Sequence, residues 1–463
     1  MKLKFNIKGA YFIGIGGIGM SAIARYFRYF GVPVAGYDRT ESPITMALEN
    51  EGCQISFDDT EAGIPALFSD ATLKDRLIIV YTPAIPSDNK IMNWFRQKGF
   101  ILYKRSEILG EISATTSTLA VSGTHGKTTV STMLAHIMYM SQKGCSAFLG
   151  GISKNYESNL ILSESRFTVM EADEYDRSFH RLQPEMAVVT AMDPDHLEIY
   201  GDHESMIKGY NIFFSKIRKG GYLLMNEKVR NLVVLPPDVK GYTYGVNTDS
   251  DFRATNVRQE GEKYLFDLSS PSAEIKDIVF PFPGKINVEN AVAASSMALL
   301  CGVSAEEIRK ALETFTGVRR RFDVRINRPG LTYIDDYAHH PEEIKACINS
   351  VREYYGTRKI TGIFQPHLFT RTKDHAAGFA EILDTLDEAI LLPIYPAREK
   401  PLEGVTSGLI FGKMKSTRKR LLNKEEIPAA LDIDNIDVLL TIGAGDIDRL
   451  VKPIEDELNR RRG

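Results

Sequence analysis

The chain has 463 residues, and at about 150 residues per domain that length suggests roughly three domains. Its 57 Lys and Arg against 60 Asp and Glu give a formal charge of −3, which argues against a protein that binds nucleic acid through a basic face. The globular mix of 43% hydrophobic and 25% charged residues excludes an intrinsically disordered chain.

Two further classes are disfavoured by composition. No run of about 18 apolar residues occurs, so no membrane span is expected. The four cysteines are scattered without a C-x-x-C pair, which disfavours a zinc ribbon or a disulfide framework and fits a reducing, cytoplasmic location.

Short runs rich in Val, Ile, Tyr and Phe alternate with longer stretches of helical periodicity, which predicts an α/β fold built on parallel sheets. The predicted strands are, in chain order, Ala10–Ile15, Val32–Tyr37, Leu77–Tyr81, Thr118–Ser122, Phe167–Met170, Ala187–Thr190, Leu331–Ile334, Ile360–Phe364, Ala389–Leu392 and Val438–Ile442. The predicted helices include Thr128–Met140, Val288–Leu300 and Pro341–Tyr354. From about Lys240 to Pro283, short strands and turns predict a small antiparallel excursion. Cuts near residues 107 and 318 predict three domains, 1–107, 108–318 and 319–463.

A first glycine loop, G-x-G-x-x-G, follows the first predicted strand and precedes a helical pattern. It comprises Gly14, Gly16, Gly17, Ile18 and Gly19. Glycines at these positions allow a pyrophosphate to approach the backbone at a helix N-terminus. Asp38 ends the next strand about 20 residues on, where an acid meets a ribose hydroxyl. The pattern predicts a nucleotide site without choosing NAD over another nucleotide, and helix–strand packing is the alternative role for these glycines.

A second glycine loop, G-T-H-G-K-T-T at residues 123–129, also lies between a strand and a helix. Its last residues match the end of a P-loop, whose amides cradle phosphates while Lys127 meets the terminal phosphates and Thr128 holds Mg²⁺. Val121 stands where the longer P-loop pattern has glycine. The sequence therefore predicts an ATP site, and two nucleotide sites in one chain favour a ligase with a nucleotide-linked substrate over a dehydrogenase.

Polar clusters follow several of the predicted strands, as an α/β active site requires. A carboxylate such as Glu171 can hold Mg²⁺ beside phosphates, although a lone surface acid is the simpler interpretation. His196 suits a general base or a positioning group equally. The clusters after strands are Glu171–Glu174, Thr190–Leu197, Asp335–Pro341 and Gln365–Thr372, and a further cluster, Asn287–Asn290, opens a helix.

Taken together, the motifs resemble the Mur ligase family. They are, in order, G-I-G-G-I-G-M-S, G-T-H-G-K-T-T, E-A-D-E, D-H-L-E-I-Y-G, N-V-E-N-A, R-R-F-D, D-D-Y-A-H-H-P and F-Q-P-H-L-F-T-R-T. The resemblance implies a Rossmann-like UDP-binding domain, a central P-loop ATPase domain and a Rossmann-like C-terminal domain that receives an amino acid. It also implies an ATP- and Mg²⁺-dependent ligase of peptidoglycan precursor synthesis, which joins L-alanine to the carboxylate of UDP-N-acetylmuramate through an acyl phosphate.

The same resemblance implies a role for each matching residue. The implied catalytic residues are Lys127, His196 and His339. The implied ATP-binding residues are Gly123, Thr124, His125, Gly126, Lys127, Thr128, Thr129, Asn290, Arg321 and Asp336. The implied substrate-binding residues are Gly14, Gly16, Gly17, Ile18, Gly19 and Asp38 for the UDP part, Tyr337 at the reacting centre, and His367 and Arg371 for alanine. The implied Mg²⁺ ligands are Thr128 and Glu171, with His196 at or beside a second ion.

Two positions depart from the family pattern. Leu368 stands where many alanine-adding relatives carry arginine, and Lys208 is out of register with the carbamoylated lysine of several Mur ligases. The alternatives are a recycling ligase that adds a tripeptide, an NAD-dependent dehydrogenase and a non-catalytic nucleotide sensor. We expect a monomer or weak homodimer without nucleic-acid or membrane partners.

Overall fold

The computed structural model describes residues 7–397 and 399–462, and its strands form three sheets that follow one another along the sequence. Within these residues no helix combines the length and the apolar character needed to span a bilayer.

The first sheet is wholly parallel, with five strands in the order β3-β2-β1-β4-β5. Its strands are β1 (Gly9–Ile13), β2 (Val34–Tyr37), β3 (Gln54–Ser56), β4 (Leu77–Tyr81) and β5 (Leu102–Lys104). Its helices are α1 (Ile18–Tyr29), α2 (Pro43–Asn50), α3 (Ala66–Ser69), α4 (Lys90–Gln97) and α5 (Arg105–Ala114). Every residue of β1 is buried, and alternate side chains enter opposite cores, Phe12 on one face and Tyr11 on the other, as a strand covered on both faces requires.

The second sheet has ten strands in the order β15-β14-β13-β12-β11-β10-β6-β9-β7-β8. Its strands are β6 (Ser117–Ser122), β7 (Ser146–Ser153), β8 (Ser158–Ile161), β9 (Phe167–Glu171), β10 (Met186–Val189), β11 (Tyr222–Asn226), β12 (Lys240–Val246), β13 (Phe252–Glu260), β14 (Lys263–Ser269) and β15 (Glu274–Phe280). Its helices are α6 (Lys127–Met140), α7 (Leu197–Tyr200), α8 (His203–Phe214), α9 (Lys285–Leu300) and α10 (Ala305–Thr314). The strand that precedes the second glycine loop, β6, is therefore central, between β10 and β9.

The antiparallel part of this sheet begins later than the sequence predicts. β12 is parallel to both β11 and β13, and the antiparallel pairing in this part of the sheet begins with β13, which pairs with β14, as β14 does with β15. The loop between β12 and β13 is held by Asp251, whose Oδ2 accepts from the backbone N–H of Thr243 at 2.8 Å. The chain thus re-enters the sheet in the same direction, so the prediction of an antiparallel start at Lys240 is wrong by one strand.

The third sheet has six strands in the order β16-β17-β21-β18-β19-β20. Its strands are β16 (Asp323–Arg328), β17 (Leu331–Asp336), β18 (Ile360–Phe364), β19 (Glu388–Leu391), β20 (Lys419–Leu421) and β21 (Val438–Ile442). Its helices are α11 (Pro341–Tyr355), α12 (Phe369–Leu383), α13 (Gly408–Phe411) and α14 (Asp448–Arg462). The antiparallel β16 is absent from the predicted strands, because its charged sequence DVRINR has no continuous apolar run.

Two compact units contain these sheets. The first unit comprises Met1–Pro281 and Val288–Thr316, and the second unit comprises Phe282–Asn287 and Gly317–Gly463. Within the first unit, the first two sheets are joined through Asn159 of β8, whose Nδ2 donates to Ser21 Oγ of α1 at 2.9 Å. The three-domain boundaries near residues 107 and 318 stay a prediction.

Candidate active site

The second glycine loop connects β6 to α6 through two residues in the left-handed region. Gly123 has φ +128° and Gly126 has φ +81°, values that favour glycine. A Cβ at Gly123 would lie 2.1 Å from Thr190 Oγ1 at the end of β10. The Thr190 hydroxyl in turn donates to the carbonyl of His125. The loop is therefore clamped against the neighbouring strand end, and glycine is required for the close approach.

The side chain of Lys127 lies folded back over this loop. Its Nζ donates to the Gly123 carbonyl at 2.6 Å and to Glu174 Oε1 at 2.8 Å. Burial opposes the charge of Lys127, but the carboxylates of Glu174, Asp173 and Glu171 outweigh burial and raise its pKa above the ordinary value. Burial raises the pKa of Glu174, which Lys127 partly offsets. Lys127 is thus a buried, protonated donor in place before any anion arrives.

The next residue, Thr128, meets the end of β9. Its hydroxyl donates to Glu171 Oε1 at 3.1 Å. Glu171 lies over Gly150 of β7, where a Cβ would come within 2.1 Å of Oε2, so the carboxylate occupies a cradle that only glycine leaves open. A hydroxyl and a carboxylate at one point supply the oxygen ligands that Mg²⁺ prefers.

The remaining implied ATP residues of the first unit surround the same loop. The backbone N–H of Thr124 donates to the carbonyl of Ala191 at 3.0 Å, and Thr129 is buried in the first turn of α6. His125 Nε2 lies 3.7 Å from Asp193 Oδ2. Asn290 of α9 is buried against the loop, with its Oδ1 at 3.0 Å from where a Cβ of Gly126 would stand.

A second group of possible cation ligands lies beside Lys127. One ligand atom each from Glu174, Asp195 and His196 lies within 4.8 Å of the others. His196 has φ +50°, and its ring meets Tyr175 edge-on at 5.3 Å. The sequence motifs point to His196 but assign no separate role to Glu174 or Asp195. Their signal was the last acid of E-A-D-E and the acid next to the histidine, each in the segment that follows a strand.

The first glycine loop has a different set of partners. The backbone N–H of Gly14 donates to the Tyr37 carbonyl at 2.7 Å, which ties the loop to the end of β2. Asp38 Oδ2 accepts from the N–H of Gly16 at 2.8 Å, so this carboxylate shapes the loop itself. Its implied contact with a ribose stays a prediction. α1 begins at Ile18 with Gly17 as its N-cap.

A cavity of about 330 Å³ opens beside this loop. Its lining includes Gly17, Ile18 and Gly19 from the loop, and Glu171 and Asp173 from the end of β9. One cavity within the first unit therefore borders both the first glycine loop and a carboxylate that contacts Thr128.

Lys208, the lysine that is out of register with the carbamoylated lysine of several Mur ligases, lies away from these residues. Its ammonium is exposed on α8 and pairs with Glu204 at 2.7 Å. The structure therefore does not bring Lys208 to the carboxylate and histidine group around His196.

In the second unit, Asp336 ends β17 and organises the turn that follows. Its carboxylate accepts from the N–H of Phe322 at 2.6 Å and from the N–H of Ala338 at 2.8 Å. Burial raises its pKa, while Arg321 and these two N–H groups lower it. The guanidinium of Arg321 lies 4.8 Å from the ring centroid of Tyr337. Asp336, Arg321 and Tyr337 thus form one polar group, and their implied ligand contacts stay predictions.

His339 lies in the same turn with a defined tautomer. Its Nδ1 is 3.1 Å from the Tyr337 carbonyl and 3.3 Å from Glu343 Oε2. Both oxygens accept, so Nδ1 carries the hydrogen. Burial lowers the pKa of His339 below its ordinary value, so the ring is neutral near pH 7 and its Nε2 holds a lone pair. That nitrogen can accept a proton.

His367 and Arg371 come together beside this histidine. The ring of His367 lies 5.9 Å from that of His339 and stacks on Tyr395 at 5.8 Å. Arg371 Nη1 lies 3.3 Å from His367 Nδ1. Leu368 between them has φ +70° and turns the chain from β18 into α12. The residues implied for the reacting centre, Tyr337 and His339, therefore lie next to those implied for alanine, His367 and Arg371.

Comparison with known proteins covers nearly the whole chain. Three family models match in order: Mur ligase family, catalytic domain (residues 10–116), Mur ligase middle domain (121–298) and Mur ligase, glutamate ligase domain (320–445). A UDP-N-acetylmuramate–L-alanine ligase of Parabacteroides distasonis is 48% identical over 454 residues, 98% of each chain. One from Porphyromonas gingivalis is 48% identical over 455 residues, 98% of this chain and 99% of the relative.

Solved structures show the same fold. A UDP-N-acetylmuramate-alanine ligase from Thermotoga maritima matches with a TM-score of 0.83 at 24% identity, over 98% of this chain and all of the other. A murein peptide ligase from Psychrobacter arcticus matches with a TM-score of 0.73 at 20% identity, again over 98% and 100%.

Proposed function

Because the chain belongs to the Mur ligase family, we propose that it uses ATP to join L-alanine to the carboxylate of UDP-N-acetylmuramate, releasing ADP and phosphate. Two relatives named for this reaction are 48% identical to it over 98% of its length. The product is a peptidoglycan precursor, so the reaction belongs to cell-wall synthesis. The same matches do not favour the tripeptide-recycling ligase or the dehydrogenase.

One observation carries the ATP dependence. Lys127 and Thr128 are consecutive residues at the start of α6. Lys127 contacts the carboxylate of Glu174 just after β9, and Thr128 contacts that of Glu171, the last residue of β9. The terminal phosphates of ATP require a protonated amine and a pair of oxygens that can bind Mg²⁺, both beside a glycine loop.

The residues present fit Mg²⁺. Thr128 and Glu171 would hold one ion, and the group of Glu174, Asp195 and His196 would hold or border a second. Glu174 supports this, since its Oε2 is buried and has no hydrogen-bond partner among the described residues. Bound there, Mg²⁺ would neutralise phosphate charge.

The reaction needs an activated carboxylate, because a carboxylate does not acylate an amine at neutral pH. An oxygen of the muramoyl carboxylate attacks the terminal phosphorus of ATP, and the bond to ADP breaks. Lys127 stabilises the charge on the transferring phosphoryl group. The alanine amine then attacks the acyl carbon, phosphate leaves, and the amine gives up a proton.

The second unit supplies groups suited to the amino acid. Arg371 offers a guanidinium fork for the alanine carboxylate, and His367 lies beside it. His339 is suited to accept the amine proton, because its neutral ring presents Nε2 as a base. His196 stays the alternative base, and the two are distinguished by the pH dependence of single-histidine variants.

The test is release of phosphate by the full chain supplied with ATP, Mg²⁺ and UDP-N-acetylmuramate. We expect release that depends on L-alanine, with lower rates for glycine and L-serine and none above background for the tripeptide. Release that depends on the tripeptide alone would overturn the assignment. A parallel titration should detect binding of UDP-N-acetylmuramate and none of NAD.

We further propose a cytoplasmic location, since ATP is available there, and action as a monomer or weak homodimer on small-molecule substrates. Sedimentation of the full chain across a range of concentrations tests the oligomeric state.

A further inference from the structure

Arg105 is a half-buried cation at the cavity beside the first glycine loop, and no role has been assigned to it above. It is the first residue of α5, directly after β5. The start of α5 is fixed by Glu107, whose Oε2 accepts from the backbone N–H of Lys104 at 2.8 Å. This fixed start directs the Arg105 side chain into the cavity lining, together with Gly19 and Asp173.

Among the described residues, the guanidinium of Arg105 is held by one hydrogen bond, and most of its N–H donors are left available. Its Nη2 donates to Asp173 Oδ2 at 3.2 Å, which is its one hydrogen bond within residues 7–397 and 399–462. The side chain is 20% exposed, so most of it is removed from water. A guanidinium has five N–H donors and favours bidentate contact with carboxylate or phosphate. The remaining donors are therefore available to an anion that enters the cavity.

Gly19 provides the space in which this side chain lies. A Cβ at position 19 would be 2.5 Å from Arg105 Nη1 and 3.1 Å from Cδ. Helix–strand packing was the alternative role for the glycines of this loop, but at Gly19 the nearest atoms belong to arginine. The third glycine of the motif therefore brings a guanidinium to the N-terminus of α1, where backbone N–H groups and the helix dipole already favour an anion.

We propose that Arg105 is a substrate-binding residue that grips an anionic oxygen of the nucleotide-sugar against the start of α1, with Asp173 as the residue that positions it. The inference rests on the proposed function for the identity of the ligand. Two groups of UDP-N-acetylmuramate share the required chemistry, the diphosphate and the muramoyl carboxylate. Asp173 holds the fork in place, so its loss should weaken the same contact less than loss of the arginine does.

The experiment measures binding to the full chain by calorimetry, with UDP-N-acetylmuramate, UDP-N-acetylglucosamine and ATP as the three probes. UDP-N-acetylglucosamine keeps the diphosphate and lacks the carboxylate. We expect Arg105→Gln to weaken UDP-N-acetylmuramate about 10- to 100-fold, as loss of a hydrogen bond to a charged group does. Arg105→Lys should recover only part of this, since it keeps the charge and loses the fork. ATP affinity should stay within about twofold.

The two sugars identify the anion. Equal weakening of both nucleotide-sugars supports contact with the diphosphate, and weakening of UDP-N-acetylmuramate alone supports contact with the carboxylate. Unchanged affinity for both overturns the proposal. So does equal weakening of ATP with a lowered Tm, because that pattern belongs to a structural arginine.

A matched control and a second variant guard against misfolding. Lys104→Gln removes the neighbouring ion pair with Asp176 at 2.8 Å, outside the cavity lining, and should leave all three affinities unchanged. Gly19→Ala should weaken the nucleotide-sugar by displacing Arg105, and adding Arg105→Gln should then cause little further loss. Strictly additive losses in the double variant contradict the role of Gly19.

Failure of this inference is separable from failure of the proposed function. A wild-type chain that binds UDP-N-acetylmuramate through Arg105 but shows no alanine-dependent phosphate release overturns only the function. Full ligase activity, together with unchanged nucleotide-sugar affinity in the Arg105 variants, overturns only the inference.

Discussion

The two glycine loops of the first unit share one local plan, strand, loop and helix, yet they have opposite surroundings. The loop after β1 is tied to the end of β2 through Asp38, and an arginine, Arg105, lies directly against its last glycine. The loop after β6 carries its own lysine, buried among carboxylates. The difference teaches that a glycine loop provides only an anion-binding backbone, and that the side chains brought to it decide between holding a phosphate and transferring one.

The helices that follow the loops differ in the same sense. From Thr128 to Met138 every residue of α6 is buried, whereas Arg25, Arg28 and Tyr29 of α1 are not fully buried. A helix enclosed on all sides holds its first turn rigidly, and Lys127 stands in that turn. Variants at the two loops, and at a third turn in the second unit, measure how far these sites differ.

The largest effect is expected from Lys127→Ala. Loss of one preorganised charge at the phosphates should lower the phosphate-release rate by about two to three orders of magnitude. Circular dichroism should show an unchanged fold. The control Lys208→Ala removes an exposed lysine that pairs with Glu204 and should keep normal turnover. A folded Lys127→Ala enzyme with near-normal turnover would contradict the P-loop assignment.

Substitution of the first glycine of each loop by alanine should destabilise the protein to different degrees at the two loops. At Gly123 a Cβ would meet Thr190 Oγ1 at 2.1 Å and the Ala191 nitrogen at 2.8 Å, so the strain and clash should cost about 3 kcal/mol. At Gly14 the nearest atoms are the side chains of Thr82 and Ile85, at 3.0 and 3.1 Å, which can move. Thermal melts should show a clearly larger loss of Tm for Gly123→Ala.

The control for this pair is Gly99→Ala, where φ is +78° and nothing lies within 4 Å of the added Cβ. It should cost about 1 kcal/mol from the left-handed backbone alone. Equal losses of Tm at all three positions would show that close approach to β10 does not constrain the second loop.

Because His136 is buried in α6, we expect the stability of the protein to depend on pH through this residue. Its Nδ1 pairs with Tyr156 Oη at 2.8 Å and its Nε2 with Thr314 Oγ1 at 3.0 Å, and burial lowers its pKa to about 4. Below about pH 6.5 the unfolded chain binds a proton at this residue, whereas the folded chain does not until about pH 4. The free energy of unfolding therefore decreases as the pH is lowered from about 6.5 to about 4. Between pH 7.5 and 5 the loss should be about 2 kcal/mol.

Thermal melts at these two pH values measure that loss. The variant His136→Gln removes the titrating group, and its Tm should therefore fall less between pH 7.5 and 5 than that of the wild type. The same drop in both proteins would assign the pH sensitivity to other groups.

The smallest effect is expected in the second unit, where Leu368 takes the left-handed turn without glycine. Arg371→Lys keeps a charge and loses the fork, so the KM for L-alanine should rise about tenfold, with a smaller change in kcat and in the KM for ATP. The control Lys373→Arg, an exposed swap on the same helix, should change neither. A rise in the KM for ATP alone would contradict the assignment of Arg371 to the alanine site and would assign it to the nucleotide site instead.

Some features of the site follow from the sequence because they are local. Strand, glycine loop and helix start are consecutive in the chain, so the spacing alone predicts that Lys127 and Thr128 lie at the start of α6. The same holds for His367 and Arg371, which are four residues apart across the first turn of α12. In both cases the fold class and the family follow from runs of fewer than ten residues read in order.

Other features depend on segments distant in the chain, and only the tertiary structure decided them. Glu174 became the partner of Lys127 because β9 lies next to β6 in the sheet, although 47 residues separate the two side chains. Arg105 reached Gly19, and β12 ran parallel to β13, through packing that no local pattern encodes. Sequence patterns record preferences of the backbone within a few residues, whereas the charge that each buried side chain meets depends on how the sheets assemble.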